Sequence, residues 1–557
     1  MREYWNNPGP TYRERKKEEM EASGESEKKT TKLRPTGCLF YLFAAVSLCG
    51  ILPSPCLSEE LLHLAITSDI HGWMSTKYIH PGRKAKGLLH LADAIREARQ
   101  RHPDTILLDS GDLLSGSPLL FYFNWVQEDP VSGNLFFDLF NSLGYDAVSV
   151  GNHDLDIYPQ LMDAYLPNAE FPMLAANLVE EGKAILQPYV VLKRGQLSIA
   201  ILGLTTTGSM MWNRLAGSRS AAIESIESAL HAWLSVMQKR ERPDLTVGLF
   251  HIGLNPLRDD ENSKIKRIPP ANELRTVLDG IENLDLVISG HDHRLNPYRS
   301  GQEVRRIHGI PVVSAGHGGE ALLKLKLRVV RRSKKWKIDH IETQAIRADQ
   351  ADRLSGAYAA MLPDRYKSYI QAELPWRIQK TGNRQASACF DRLLAKANSR
   401  NGIHATMFPK TNVKGIGLRR GKRLNRADLF RWFRYHNRPV AIRMSRRDIH
   451  LLRHPRAEYG KWRVAYNRKL FFWSDSGLES DTGDYWWPSA EAFERRFLVK
   501  VGDYHAFGGG GLLSGLFFQK ENFEEGSPSF LKDTLFRYLS TGRKRLPHDC
   551  SFLKPDR

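Results

Sequence analysis

The chain has 557 residues, a formal net charge of +19, 41% hydrophobic and 26% charged residues. That length is too great for one ordinary core and points to two domains, and five cysteines without a CxxC pair exclude a disulfide framework or a thiolate metal motif. The positive balance favours anionic partners (phosphates, nucleic acid or an acidic membrane surface) without choosing among them.

Residues 1–36 are polar and charged, with no periodic apolar pattern. "GCLFYLFAAVSLCGIL" follows, an uncharged run of signal-peptide length and short for a bilayer span, and "PSPCLSEE" supplies small residues for cleavage. Residues 37–58 are therefore read as a secretory signal, with an uncleaved anchor or a buried helix as alternatives. Met20 is a second candidate start, and Leu48 and Pro55 disfavour lipidation of Cys49 or Cys56. Past the leader only Cys389 and Cys550 remain; they could pair in an oxidising compartment, but free and inert thiols are the expectation.

From Leu62 short apolar runs alternate with amphipathic stretches. "LLHLAITSDIHG" reads as a strand, "KGLLHLADAIREARQRH" as a helix, "DTILLDSGD" as a strand, and "NLFFDLFNSLGY" as a helix closed by Gly144 before the strand "DAVSV". "PYVVLKR" and "LSIAILGL" form a hairpin, "AAIESIESALHAWLSVMQKR" is a helix, and "DLTVGLFHIG", "NLDLVISGHDH", "IPVVSAGHGG" and "ALLKLKLRVV" add β structure. This order implies a layered α/β domain over 59–342, with its site beyond the carboxyl ends of the strands. Residues 343–375 read as a connecting helix or linker, 376–540 as a second domain rich in Arg and aromatics, and 541–557 as a tail.

The polar residues obey that topology. Asp69 and His71 ("SDIHG"), Asp112 ("DSGDLL"), Asn152 and His153 ("GNHD"), His251 ("FHIG") and His291 and His293 ("SGHDH") each stand at or just past an apolar strand. Mixed carboxylate, imidazole and amide donors suit two divalent ions such as Zn, Mn, Fe or Co, with Asp112 placed to bridge them. Glycines beside the ligands (Gly72, Gly111, Gly151, Gly253, Gly290) permit tight turns and close approach of a bound anion. Such two-metal centres hydrolyse phosphate esters.

The set "DIHG…GDLL…GNHD…FHIG…GHDH" resembles the calcineurin-like metallophosphoesterase superfamily, in particular its 5′-nucleotidase branch, which also contains 2′,3′-cyclic nucleotide phosphodiesterases and UDP-sugar hydrolases. The likeness spans about residues 60–540. It implies a four-layer β-sandwich metallophosphoesterase domain flanked by helices, followed by a smaller α+β carboxyl-terminal domain of 5′-nucleotidase type. It further implies that Asp69, His71, Asp112 and His293 hold one metal and that Asp112, Asn152, His251 and His291 hold the other. His153 would be the catalytic histidine, oriented by Asp156, while Asp154 is read as structural.

In that branch the second domain clamps a nucleobase between two aromatic rings, and the matching positions here are Tyr435 in "LFRWFRYHNRPVAIRMSRRDIHLL" and Tyr504 in "FLVKVGDYHAFGGGGLLSG". Two departures put nucleoside specificity in doubt. The Asn-Gly-Gly-Gly-Ile-Arg motif is replaced by "KTNVKGIGLRRGKRL", and Gly510 stands where an acid usually holds ribose hydroxyls. The Arg-rich stretch between Arg419 and Arg463 carries no nucleic-acid motif and reads as a solvated face, so nucleic acid and anionic lipid are not favoured partners.

The expected activity is hydrolysis of nucleoside monophosphates or 2′,3′-cyclic nucleotides by a secreted, periplasmic or envelope-associated enzyme. Alternatives are a UDP-sugar or non-nucleotide phosphoester hydrolase, or an envelope polyanion-binding protein with a vestigial metal site.

Overall fold

The computed structural model describes residues 58–76, 86–209, 221–254, 273–333, 335–348 and 361–378, and shorter segments between 389 and 555. The leader and both Tyr435 and Tyr504 lie outside the described residues. Among those described, no helix is long and apolar enough to cross a membrane.

Twelve strands carry the first domain's architecture: β1 (Glu59–Thr67), β2 (Ile106–Asp109), β3 (Ala147–Ser149), β4 (Met173–Leu174), β5 (Tyr189–Arg194), β6 (Leu197–Thr205), β7 (Leu245–His251), β8 (Leu286–Ser289), β9 (Leu295–Asn296), β10 (Ile310–Ala315), β11 (Ala321–Arg332) and β12 (Lys335–Arg347). One sheet runs β12-β11-β1-β2-β3-β4 and the other β9-β10-β8-β7-β6-β5. In both, the central strands are parallel and the hairpin strands antiparallel.

The near-continuous apolar runs follow from burial on both faces. Along β1, Leu62, Leu64 and Ile66 point into a core shared with Ile199, Ile201, Val247, Leu249 and Ile288 of the opposing sheet. The alternate residues Ala65, Leu107 and Val148 face outward against the helices Leu88–Arg101, Pro118–Trp125 and Leu135–Ser142. On the far side, Ala200, Leu202 and Leu204 pack against the helix Ile226–Arg240. The result is helix, sheet, sheet, helix: the four-layer sandwich.

Two expectations need correction. The connecting helix or linker was expected to begin at residue 343, but β12 continues to Arg347, and among the described residues a helix follows over Asp364–Gln371 before the strand Glu373–Ile378. Thr343 and Ile346 are held by pairing with Leu325 and Leu322 of β11, and this tertiary ladder overrides a polar sequence with helical spacing. Cys389 is buried and disulfide-bonded rather than a free thiol, and its partner lies outside the described residues. Spacing along a chain cannot reveal such proximity.

Beyond the connector, strands from Ala405–Pro409 to Phe523–Glu524 form a separate seven-stranded sheet, and Glu373–Ile378, Arg423–Asn425 and Leu553–Pro555 form a three-stranded one. The connector helix docks on Pro118–Trp125 through Tyr366 and Tyr369, whose rings lie 5.6 and 5.3 Å from Tyr122. Phe430 packs edge-on against Phe121 at 5.2 Å, and the Arg426 guanidinium lies over Tyr369 and Phe536 at 4.1 and 3.9 Å. This aromatic joint ties later elements to the helix that follows the "GDLL" loop. Phe121→Ala should cost ~3–5 kcal/mol through lost burial and a cavity, read as a lower urea midpoint with an unchanged slope.

Candidate metal centre

The predicted ligands converge at the carboxyl ends of the parallel strands. Asp69 lies two residues past β1, Asp112 and Asn152 three residues past β2 and β3, His251 ends β7, and His291 lies two past β8. Polar side chains close the apolar layer beneath them, with Thr67 Oγ1 donating to Asp109 Oδ2 at 2.6 Å and Ser110 Oγ bridging the sheets to the Ser289 carbonyl at 3.3 Å.

Reaching one point from separate strands bends the backbone. Asp69, His71, Asp112, His291 and His293 all take positive φ, from 48° to 79°. Left-handed backbone is uncommon outside glycine and concentrates at functional sites, where the surrounding structure must hold it. Asp154 does much of that holding. Its buried carboxylate accepts from the amides of Leu113 (2.9 Å), Leu114 (2.6 Å), Asp112 (3.1 Å) and Gly151 (2.8 Å). One side chain thus locks the "GDLL" loop to the "GNHD" loop, as the structural reading expected. Gly151 is required by the protein's own packing, because a Cβ there would stand 2.2 Å from both the amide nitrogen and Oδ1 of Asp112.

Two overlapping groups of donors result. Ligand atoms of Asp69, His71, Asp112 and His293 lie within 4.8 Å of one another, as do those of Asp112, His251 and His291. Asp112 Oδ2 lies 3.6 Å from His71 Nε2 and 3.3 Å from His251 Nε2, between the two groups. Asn152 joins the second group, its Oδ1 being 2.8 Å from His291 Nδ1 and 3.2 Å from His251 Nε2. His71 and His251 donate their Nδ1 hydrogens to the carbonyls of Ser115 (2.9 Å) and Ser110 (2.7 Å), which leaves each Nε2 pointing inward.

The charges ask for cations. Burial pushes the Asp69 carboxyl well above its usual range, with Asp112 adding repulsion. Burial acts the same way on Asp112, yet His251, His153 and His71 hold it well below. Burial lowers His71, His291 and His293 to about 4, 3 and 2, so these imidazoles are neutral donors near pH 7. On His251 burial is outweighed by Asp112 and Asp69, which raise it to about 10. Divalent cations would satisfy the carboxylates and return His251 to a lone-pair donor, so the donor set fits two of them.

His153 stands beside the cluster rather than in it. Its amide donates to Asp112 Oδ1 at 2.7 Å, its ring lies 5.4 Å from that of His71, and its Nδ1 is 2.7 Å from Asp156 Oδ2. The sequence reading missed His317, whose ring stacks on His293. An imidazole among glycines in "AGHGGE" was the only signal.

Replacing Asp154 by Ala should leave four amides without their acceptor. We expect a loss of about 3 kcal/mol or more together with poor retention of both metals, checked by chemical denaturation and elemental analysis.

Residues 62–295 match the family model described as calcineurin-like phosphoesterase. The trifunctional nucleotide phosphoesterase of Bacillus subtilis is 26% identical over 318 residues, 52% of this chain and 21% of that protein. The 2′,3′-cyclic-nucleotide 2′-phosphodiesterase/3′-nucleotidase of Yersinia enterocolitica is 23% identical over 51% of this chain and 45% of its own. A snake venom 5′-nucleotidase from Gloydius brevicauda is 32% identical over 31% of this chain and 30% of its own. The chain thus spans less than half the length of these curated relatives. Among solved structures, a Staphylococcus aureus chain assigned as a 5′-nucleotidase superposes with a TM-score of 0.64 at 18% identity, covering 88% of this chain and 98% of that one. A 5′-nucleotidase precursor from Thermus thermophilus gives 0.56 at 17%, covering 86% and 96%. At such identities the likeness is one of fold, and it extends through both the sandwich and the later domain. The part of the chain that carries the site, residues 62–295, is thus similar to the calcineurin-like phosphoesterase family.

Proposed function

We propose that the protein is a two-metal phosphohydrolase that cleaves phosphoesters of nucleotides, either nucleoside monophosphates or 2′,3′-cyclic nucleotides. The observation that carries this reading is the position of Asp112, a buried carboxylate shared by two groups of metal donors. Bound there, two divalent cations supply the charge that acidifies water and offsets the phosphoryl oxygens.

The chain's own residues would do the rest. Burial alone would lower the His153 pKa, but Asp156 and Asp112 raise it to about 9, and with Asp112 given to the cations it is Asp156 that favours the imidazolium. With Nδ1 engaged by Asp156, Nε2 is the nitrogen left for substrate. As the P–O ester bond breaks, the Nε2 proton passes to the departing oxygen, which leaves as an alcohol. Asp156 fixes the ring and favours its charged form.

The names of the relatives support a nucleotide substrate, and the carboxyl-terminal domain is the proposed reader of its base through Tyr435 and Tyr504. The apolar run at 37–52 and the disulfide at Cys389 support export to an oxidising compartment.

Purified protein reconstituted with Mn, Zn or Co should be assayed on 5′-monophosphates, 2′,3′-cyclic nucleotides, UDP-sugars and a simple aryl phosphate. Base stacking of ~1–3 kcal/mol predicts a kcat/KM advantage of about 5- to 150-fold for a nucleotide over the aryl ester. Equal or better turnover of the aryl ester would contradict the nucleotide reading and leave the metal chemistry in place.

His153→Ala should lower kcat by about 10²–10⁴ while metal content stays near wild type. In Asp156→Asn the raising partner is gone and the His153 pKa falls. Because the acid form is the active one, activity disappears as pH rises through that pKa, and the alkaline limb of the kcat profile should move to lower pH.

A further inference from the structure

The turn Gly316–Glu320 belongs to no motif read from the sequence, yet it abuts the metal donors. The ring of His317 lies parallel to that of His293, with centroids 4.9 Å apart and planes 3° from parallel. The two other imidazoles that offer Nε2, His71 and His251, are each steadied through Nδ1 by a backbone carbonyl. Such a bond ordinarily fixes a ligand's orientation. No such bond to His293 Nδ1 is found among the described residues, and its side chain is 42% exposed against 12% for His71 and 0% for His251. Apart from its Nε2, which lies 3.0 Å from His71 Nε2 and 3.5 Å from Asp69 Oδ1, this most open of the candidate ligands is flanked by rings: the edge of His71 at 5.1 Å and 73°, and the face of His317.

His317 Nδ1 is buried and faces the Glu320 carboxylate without a close hydrogen bond. It lies 3.7 Å from Glu320 Oε1, and Lys86 Nζ donates to Glu320 Oε2 at 2.7 Å. The turn is shaped to fold that carboxylate back, since Gly316 takes φ +82° and a Cβ there would stand 2.2 Å from Glu320 Oε1. It is also fastened to the loop that carries the first ligands. Gly318 donates its amide to the Asp69 carbonyl at 2.7 Å, and Gly87 donates to the Gly319 carbonyl at 3.1 Å. Lys86, Glu320, His317 and His293 thus form a chain of contacts ending at the metal donors.

We propose that His317 is a positioning residue that orients His293 by ring stacking and thereby sets the affinity of the Asp69–His71–Asp112–His293 metal site, with the fastened turn Gly316–Glu320 holding the His317 ring in place. The inference rests on the two-metal reading. It assigns the effect to the face of the ring and not to either nitrogen, so an aromatic ring of another kind should serve.

The test is Co(II) titration of the full chain against a competing chelator, with the visible absorption of the bound ion as a second readout, for wild type, His317→Ala and His317→Phe. Wild type should bind two ions. His317→Ala should weaken one site by about 10- to 100-fold, leave the other unchanged and alter the spectrum of the weakened site, whereas His317→Phe should restore both affinity and spectrum. Two sites of wild-type affinity in His317→Ala would overturn the proposal, and so would a His317→Phe protein as weak as His317→Ala, because a nitrogen would then be what matters. Wild type binding fewer than two ions would instead defeat the two-metal reading, so the two failures are distinguishable.

Discussion

A carboxylate removed from water demands positive charge, and Asp112 is placed so that this demand is met from two sides. Its side chain is 1% exposed, lies between His71 and His251, and accepts the His153 amide. Isolated, such a group would be too costly to bury in ionised form. The surrounding imidazoles keep it ionised against burial. The arrangement is stable because strands of both sheets, β2 and β7, end at this carboxylate, and the sandwich in turn depends on closing its polar edge there.

That closure carries a conformational cost. Five of the candidate ligand residues occupy left-handed backbone without being glycine, at a cost of ~1–3 kcal/mol each. The cost is offset by the apolar layer between the sheets and by directed hydrogen bonds such as those that Asp154 collects from two loops. Rigid strands thus supply precision and loops supply chemistry, and a change in either is felt by the other. The aromatic joint at Tyr366 and Phe430 extends this coupling, since it presses later elements of the chain onto the helix Pro118–Trp125 beside the "GDLL" loop.

The convergence of the candidate metal donors was legible in the sequence because each stands at or just past an apolar strand, and topology then brings them together. Asp156 was legible for a similar reason, lying three residues from His153 in a tight turn where the two side chains touch. Other features were not local. The extension of β12 to Arg347 comes from a ladder with β11, which is invisible in a polar segment with helical spacing. The disulfide of Cys389 depends on a distant thiol reaching it. His317 escaped notice because its partner His293 is brought to it by the turn Gly316–Glu320, and stacking leaves no spacing rule in a sequence. The tyrosines expected to grip a base lie outside the described residues, so that expectation stands on resemblance.

The most direct measurement is anomalous diffraction from crystals of the metal-reconstituted protein at the absorption edge of the chosen ion. Two peaks about 3.5–4 Å apart, one on each side of the Asp112 carboxylate, are the predicted result. A single peak, or a pair that does not share Asp112, would contradict the account.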